Sequence, residues 1–340
     1  MVIGTQIVKL ISTIYKLFQN PMWKAIKSFK SPQLISVRSF SRSIIVQNKL
    51  NMPEFDDSFL MNHTCLRIKD PKVTVPFYTE NFGLQLLRTV PFPDFTLYML
   101  GYENAENKSK NWSAREGVLE LCHNHGVEND PDFKLNHVLE EKLLAKDVKF
   151  QKKLSDGRQK DIAFALDPNG YWIELIEHAN GKVEAKTDAS TYKFNHSMIR
   201  VKDPKASLDF YRNVLGFKLI SSHEFPAAKF TLYFLGYDHS PDFKEDSADR
   251  TVKASREGLI ELTHNWGTEG GAIQGYGHTA VSCKDPDALC KQIEEEYGDK
   301  VKWSLKWDQG KIKRIAFIQD PDGYSIEIVG YDLLTKDSNL

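Results

Sequence analysis

Between residues 60 and 68 apolar and polar positions alternate with the period of a strand, and the pattern returns at 193–201. Each run leads into a helix signal. Asp70 or Asp203 stands as N-cap, Pro71 or Pro204 takes the first helical position, and Gly83 or Gly216 follows the last turn. Pro76 falls inside the first of these helices, where proline costs about 3 kcal/mol. Short strand-like runs follow at 95–101, 117–122, 161–166 and 171–176, and again at 230–236, 258–263, 314–319 and 324–329. A further helix is predicted over 286–297, capped by Asp285 and stopped by Gly298. One helix against several strands, twice over, predicts an α+β protein.

The second half repeats the first. Asn62-His63-Thr64-Cys65-Leu66-Arg67 returns as Asn195-His196-Ser197-Met198-Ile199-Arg200, an offset of 133. Leu119-Glu120-Leu121-Cys122-His123-Asn124 returns as Ile260-Glu261-Leu262-Thr263-His264-Asn265, an offset of 141, and Asp167-Pro168-Asn169-Gly170-Tyr171 as Asp320-Pro321-Asp322-Gly323-Tyr324, an offset of 153. The copies run from 58 to 180 and from 192 to 332. The offset grows by twelve residues where the first copy should match Gly277-His278-Thr279-Ala280-Val281-Ser282. The first copy is therefore expected to lack one strand, which leaves its neighbours an unpaired edge.

Charge separates a leader from this body. Residues 1–50 carry eight Lys/Arg and no Asp or Glu, with apolar residues at helical spacing from Ile3 to Leu17. That composition predicts a mitochondrial presequence; cytoplasmic residence from a start at Met52 is the alternative. The net charge of −1 then leaves a balance of −9 on the rest of the chain, which argues against nucleic acid. No apolar stretch is long enough for a membrane span. Four cysteines without CxxC spacing fit a reducing compartment.

Alternation sorts the chemistry by face. His63, Cys65 and Arg67 point together, as do His196, Met198 and Arg200. Glu120, Glu174, Glu261 and Glu327 each sit in a strand with apolar residues on both sides, and His278 lies in a further alternating run. A single strand glutamate is ordinarily solvated. Recurrence at matching places changes the reading, because a carboxylate on an apolar face needs partners and a metal ion recruits several. Two His and two Glu suit Zn²⁺ or a harder first-row cation.

These strings resemble the glyoxalase I (lactoylglutathione lyase) family of the vicinal oxygen chelate superfamily, in its tandem fungal form, over 58–332. The resemblance implies two domains of paired βαβββ modules, with module one pairing with four and two with three. It implies a first site of His63, Glu120, His278 and Glu327, with Arg67, Asn124 and Lys311 on glutathione and Gln274 where an Arg is usual. A second site would use His196, Glu261 and Glu174, with Arg200, Asn265 and Arg158 near glutathione; its fourth ligand has no counterpart, His137 being a poor substitute. The implied reaction isomerises the hemithioacetal of glutathione and methylglyoxal to S-lactoylglutathione by proton transfer through an enediolate. Glu327, and Glu174 in the second site, would carry the proton, with one divalent metal per intact site, zinc ahead of nickel, and glutathione as cosubstrate. A fused chain could complete its sites as a monomer. The competing readings are an Fe(II) extradiol-type oxygenase, a non-catalytic binding protein, and an inactive splice form.

Overall fold

The computed structural model describes residues 55–130, 149–153, 156, 162–176, 191–267 and 276–335. The basic leader, His137, Arg158 and Gln274 lie outside them. In chain order, the first copy holds β1 (Leu60–Arg67), α1 (Pro71–Phe82), β2 (Gln85–Pro91), β3 (Phe95–Gly101), β4 (Val118–Asn124), β5 (Phe150–Lys152), β6 (Ile162–Leu166) and β7 (Trp172–Ile176). The second copy opens with β8 (His196–Arg200), α2 (Pro204–Asn213), β9 (Lys218–Phe225), β10 (Phe230–Gly236), α3 (Arg250–Ala254) and β11 (Leu259–Asn265). It closes with β12 (Tyr276–Cys283), α4 (Pro286–Tyr297), β13 (Lys302–Leu305), β14 (Ile315–Gln319) and β15 (Ser325–Gly330).

The helix caps are as the sequence predicts. The side chains of Asp70, Asp203 and Asp285 each accept from first-turn N–H groups. α1 continues through Pro76, because Thr74 and Tyr78 on its inner face are buried against the sheet. α2 differs from expectation. It ends at Asn213 with Val214 as C-cap, two residues short of Gly216. β8 is also shorter than the 193–201 run, and β2, β5, β9 and β13 had no periodic signal strong enough to mark them.

One sheet dominates. Eight strands run in the order β13-β14-β15-β12-β1-β4-β3-β2, so the first module of copy one and the last module of copy two share a continuous ladder through the antiparallel β1/β12 pair. The remaining strands form a four-stranded sheet, β8-β11-β10-β9, and a three-stranded one, β5-β6-β7. Among the described residues no strand stands between β8 and β7 as β12 stands between β1 and β15.

β4 shows how the sequence fixes the faces. Leu119 and Leu121 pack under α1 with Ile68, Tyr78 and Leu100, while Val118 and Cys122 turn to the opposite face with Cys65, Met99 and Trp112. Both faces are covered, so Val118 to His123 are all buried, Glu120 among them. The repeated Asp-Pro-Asn/Asp-Gly turns are fastenings. Asp167 accepts from Tyr78 Oη at 3.0 Å and from the N–H groups of Asn169 and Tyr171. Asp320 does the same with Tyr211, Asp322 and Tyr324. The residue two further on, Asn169 or Asp322, accepts from the N–H of Lys69 or Lys202 just past the opening strand. Each turn thus ties the last module of a copy to the first.

Candidate metal centre

The four central strands of the eight-stranded sheet each supply one polar side chain to a common cluster: His63 from β1, Glu120 from β4, His278 from β12 and Glu327 from β15. One ligand atom from each lies within 4.8 Å of all the others. His63 Nε2 is 3.0 Å from His278 Nε2, 3.3 Å from Glu120 Oε2 and 3.2 Å from Glu327 Oε2; His278 Nε2 is 3.2 Å from the same Glu327 oxygen. Donors about 2.0–2.1 Å from a tetrahedral Zn²⁺ would stand roughly 3.3–3.4 Å apart. The donor set and its spacing fit one such cation. Gly277 makes the β1/β12 approach possible: a Cβ there would lie 2.5 Å from Cys65 Sγ and 2.8 Å from Cys65 O.

The imidazole of His63 is held from behind. Asn62 Nδ2 donates to the carbonyls of Trp112 at 2.9 Å and Arg115 at 2.6 Å, so its Oδ1 faces His63 Nδ1 at 2.7 Å as an acceptor. Nδ1 therefore carries the proton, and the Nε2 lone pair points into the cluster. The second copy repeats the device: Asn195 Nδ2 donates to Lys253 O and Arg256 O, and Oδ1 lies 2.7 Å from His196 Nδ1. The sequence reading missed both asparagines. Their signal was the Asn-His pair preserved in both repeats.

Electrostatics within the cluster are strong because the groups are buried. Burial pushes the Glu327 carboxyl up, but the imidazoles of His278 and His63 outweigh it and hold the group at about 2. Burial lowers His278, and Glu327 and Glu120 carry it back above its ordinary value. The cluster thus keeps a carboxylate ionised beside basic nitrogens.

Among the described residues the second cluster has three members. His196 Nε2 is 3.3 Å from Glu174 Oε2 and 3.5 Å from Glu261 Oε2. Burial raises the Glu261 carboxyl, against the pull of His196 and a 2.8 Å hydrogen bond from Thr263. Where Trp112 packs near His63, with ring centroids 5.8 Å apart, the second copy has Lys253. Its ammonium sits 3.6 Å from the ring centre of Phe234, and that ring packs edge-on to His196.

Two of the residues expected to meet glutathione lie further along the ligand-bearing strands β1 and β4. Arg67 and Asn124 are exposed, two positions past Cys65 and Cys122 on neighbouring strands. Arg200 and Asn265 hold the matching places in the second copy. Lys311 is fully solvated and 3.9 Å from Asp94.

The chain is 48% identical over 316 residues to Glyoxalase I of Saccharomyces cerevisiae, covering 82% of this chain and 94% of that protein. It is 38% identical over 307 residues to the lactoylglutathione lyase of Schizosaccharomyces pombe, covering 80% and 96%. A solved glyoxalase I variant from Zea mays superposes with a TM-score of 0.59 at 25% identity, covering 81% of this chain and 94% of that one. The profile of the Glyoxalase/Bleomycin resistance protein/Dioxygenase superfamily matches residues 60–175 and 193–328. With most of its length inside those two matches, the chain belongs to that superfamily.

Proposed function

We propose that the chain is a lactoylglutathione lyase that converts the hemithioacetal of methylglyoxal and glutathione to S-lactoylglutathione in the four-ligand cradle. The observation that carries this reading is the convergence of two imidazoles and two carboxylates from both ends of the chain. A yeast Glyoxalase I almost half identical over most of its length supports it. A divalent cation held by His63, Glu120, His278 and Glu327, zinc first by its donor set and nickel second, supplies Lewis-acid stabilisation of developing oxyanion charge.

The chain's own residues do the rest. Glu327, whose Oε2 lies 3.2 Å from the Nε2 atoms of both His63 and His278, is the base that takes the proton from C1 and returns it to C2. Glu120, across His63 from it, is the second carboxylate able to hold that proton. Asn62 fixes the orientation of His63. Arg67 and Lys311 bring positive charge for the glutathione carboxylates, with Asn124 as a neutral partner. The three-membered cluster, with Glu174 as its proton carrier, is a weaker site. An Fe(II) oxygenase would call for two His and one carboxylate. Among the described residues the first cluster has one carboxylate more, and the second has one His and two Glu.

All four first-site ligands come from one chain, which supports a monomer. Residues 1–50 are proposed to direct mitochondrial import on their composition alone, and a reporter fusion that stayed cytosolic would refute this. No helix of the described residues is long and apolar enough to cross a membrane. The catalytic reading is tested by stripping the protein with a chelator and assaying isomerisation under nitrogen. Activity lost on stripping and restored by Zn²⁺ or Ni²⁺ without oxygen supports it; absence of isomerisation with metal bound overturns it.

A further inference from the structure

Only five buried side-chain polar atoms among the described residues lack a hydrogen-bond partner. Three of them, Arg88 Nε, Trp112 Nε1 and Arg115 Nη1, belong to residues lining one open cleft of about 230 Å³. Arg115 and Trp112 are more than nine-tenths buried, at 7% and 3% exposure. An unpaired buried donor is costly, and three in residues that line one cleft call for a common acceptor.

The charge on the cleft gives the sign of that acceptor. Arg88, Lys110 and Arg115 line it, against the single carboxylate of Glu103. That carboxylate is already engaged, 3.2 Å from Arg115 Nη2. The remaining bonds of Arg115 go to the carbonyls of Lys108 and Lys110, so the guanidinium is fixed, with Nη1 left over. A water could satisfy one donor but would leave the cationic excess uncompensated. A small oxyanion can accept from several N–H groups and neutralise charge together. None of the four metal-centre residues lines the cleft. The turn that carries Trp112 and Arg115 is, however, the one whose carbonyls hold Asn62 behind His63.

We propose that this cleft is an anion-binding site for one small oxyanion, a phosphate or carboxylate group, gripped by Arg88, Trp112 and Arg115. The proposal is independent of the reaction assigned to the cradle. It is tested by isothermal titration of the metal-loaded full chain with inorganic phosphate and with acetate, chloride serving as the ionic-strength control. One saturable site per chain is expected, weakened by about tenfold or more in Arg88→Gln. Trp112→Phe, which keeps the ring and removes only the N–H, should weaken it by a smaller factor. The tighter anion identifies the natural group. Absence of saturable binding by either anion, or binding unchanged in both folded variants, overturns the proposal.

Discussion

Replacing Asn62 with alanine separates holding the fold from holding the metal. Asn62 and His63 are both fully buried. The substitution strips the acceptor from His63 Nδ1 and the donors from Trp112 O and Arg115 O. Three buried hydrogen bonds at about 1 kcal/mol each give roughly 3 kcal/mol, or about 6–12 °C in Tm. Metal affinity should also fall by about 10–100-fold, because the imidazole loses the bond that fixes its tautomer. Asn62→Asp keeps an oxygen facing Nδ1 but loses both N–H donors. It should recover most of the metal affinity while remaining destabilised. Asn195→Ala inflicts equivalent losses in the second copy and should leave the four-ligand site's affinity unchanged. Competition against a chromophoric chelator reads the affinity and thermal unfolding the stability. If Asn62→Ala binds metal within about threefold of wild type, or Asn62→Asp fails to outbind it, the orientation argument is wrong.

Three further outcomes follow from the same geometry. Glu327→Gln should abolish most turnover while Glu174→Gln leaves most of it; the reverse in a glyoxalase assay would move catalysis to the second cluster. Metal analysis of the loaded chain should find one tightly held ion, and two of equal affinity would contradict the weakness of a three-ligand site. In the metal-free protein, Glu327 titrates near 2 when folded, against 4.5 ordinarily. A lowered acid contributes stability that is fully present above its unfolded value and is lost as pH falls through its folded one. The contribution, at most about 3 kcal/mol, should therefore decline from about pH 5 toward pH 2. Urea unfolding between those limits should be flatter in Glu327→Gln, and an unchanged slope would show that the histidines do not hold the carboxylate.

Much of this was legible because the repeat reports the same local physics twice. Helix caps, the opening strands and the buried glutamates each appear in both copies, and coincidence is a poor explanation for a paired exception. His278 was harder, since nothing in copy one matches it. Its place in an alternating run said that it belonged to a strand, but not that β12 would bridge β1 and β15. The strands at 85–91 and 218–225 escaped because their outer positions are exposed and carry mixed side chains, so alternation is weak there. The tethering asparagines and the cleft at Arg88 depend on hydrogen bonds across about 50 residues or on spatial neighbours from separate segments, which periodicity cannot report.

The two cradles diverge at one structural joint. β12 pairs antiparallel with β1 and parallel with β15, and in doing so it carries His278 to the centre of the ladder. It also sets the spacing between His63 and Glu327, because their strands lie on either side of it. Around the other cluster, β8 and β7 are in different sheets among the described residues, so Glu174 approaches His196 without a shared hydrogen-bond ladder. Glu174 is correspondingly less buried than Glu327, with 25% against 8% of its side chain exposed. Lys253 lies close enough for its charge to act against a proton on His196, and it would oppose a divalent ion in the same way. Copy one has an indole at that position. Three ligands among the described residues against four, a softer mount and a nearby ammonium should each weaken cation binding, an expected asymmetry that follows from where the sheet is continuous.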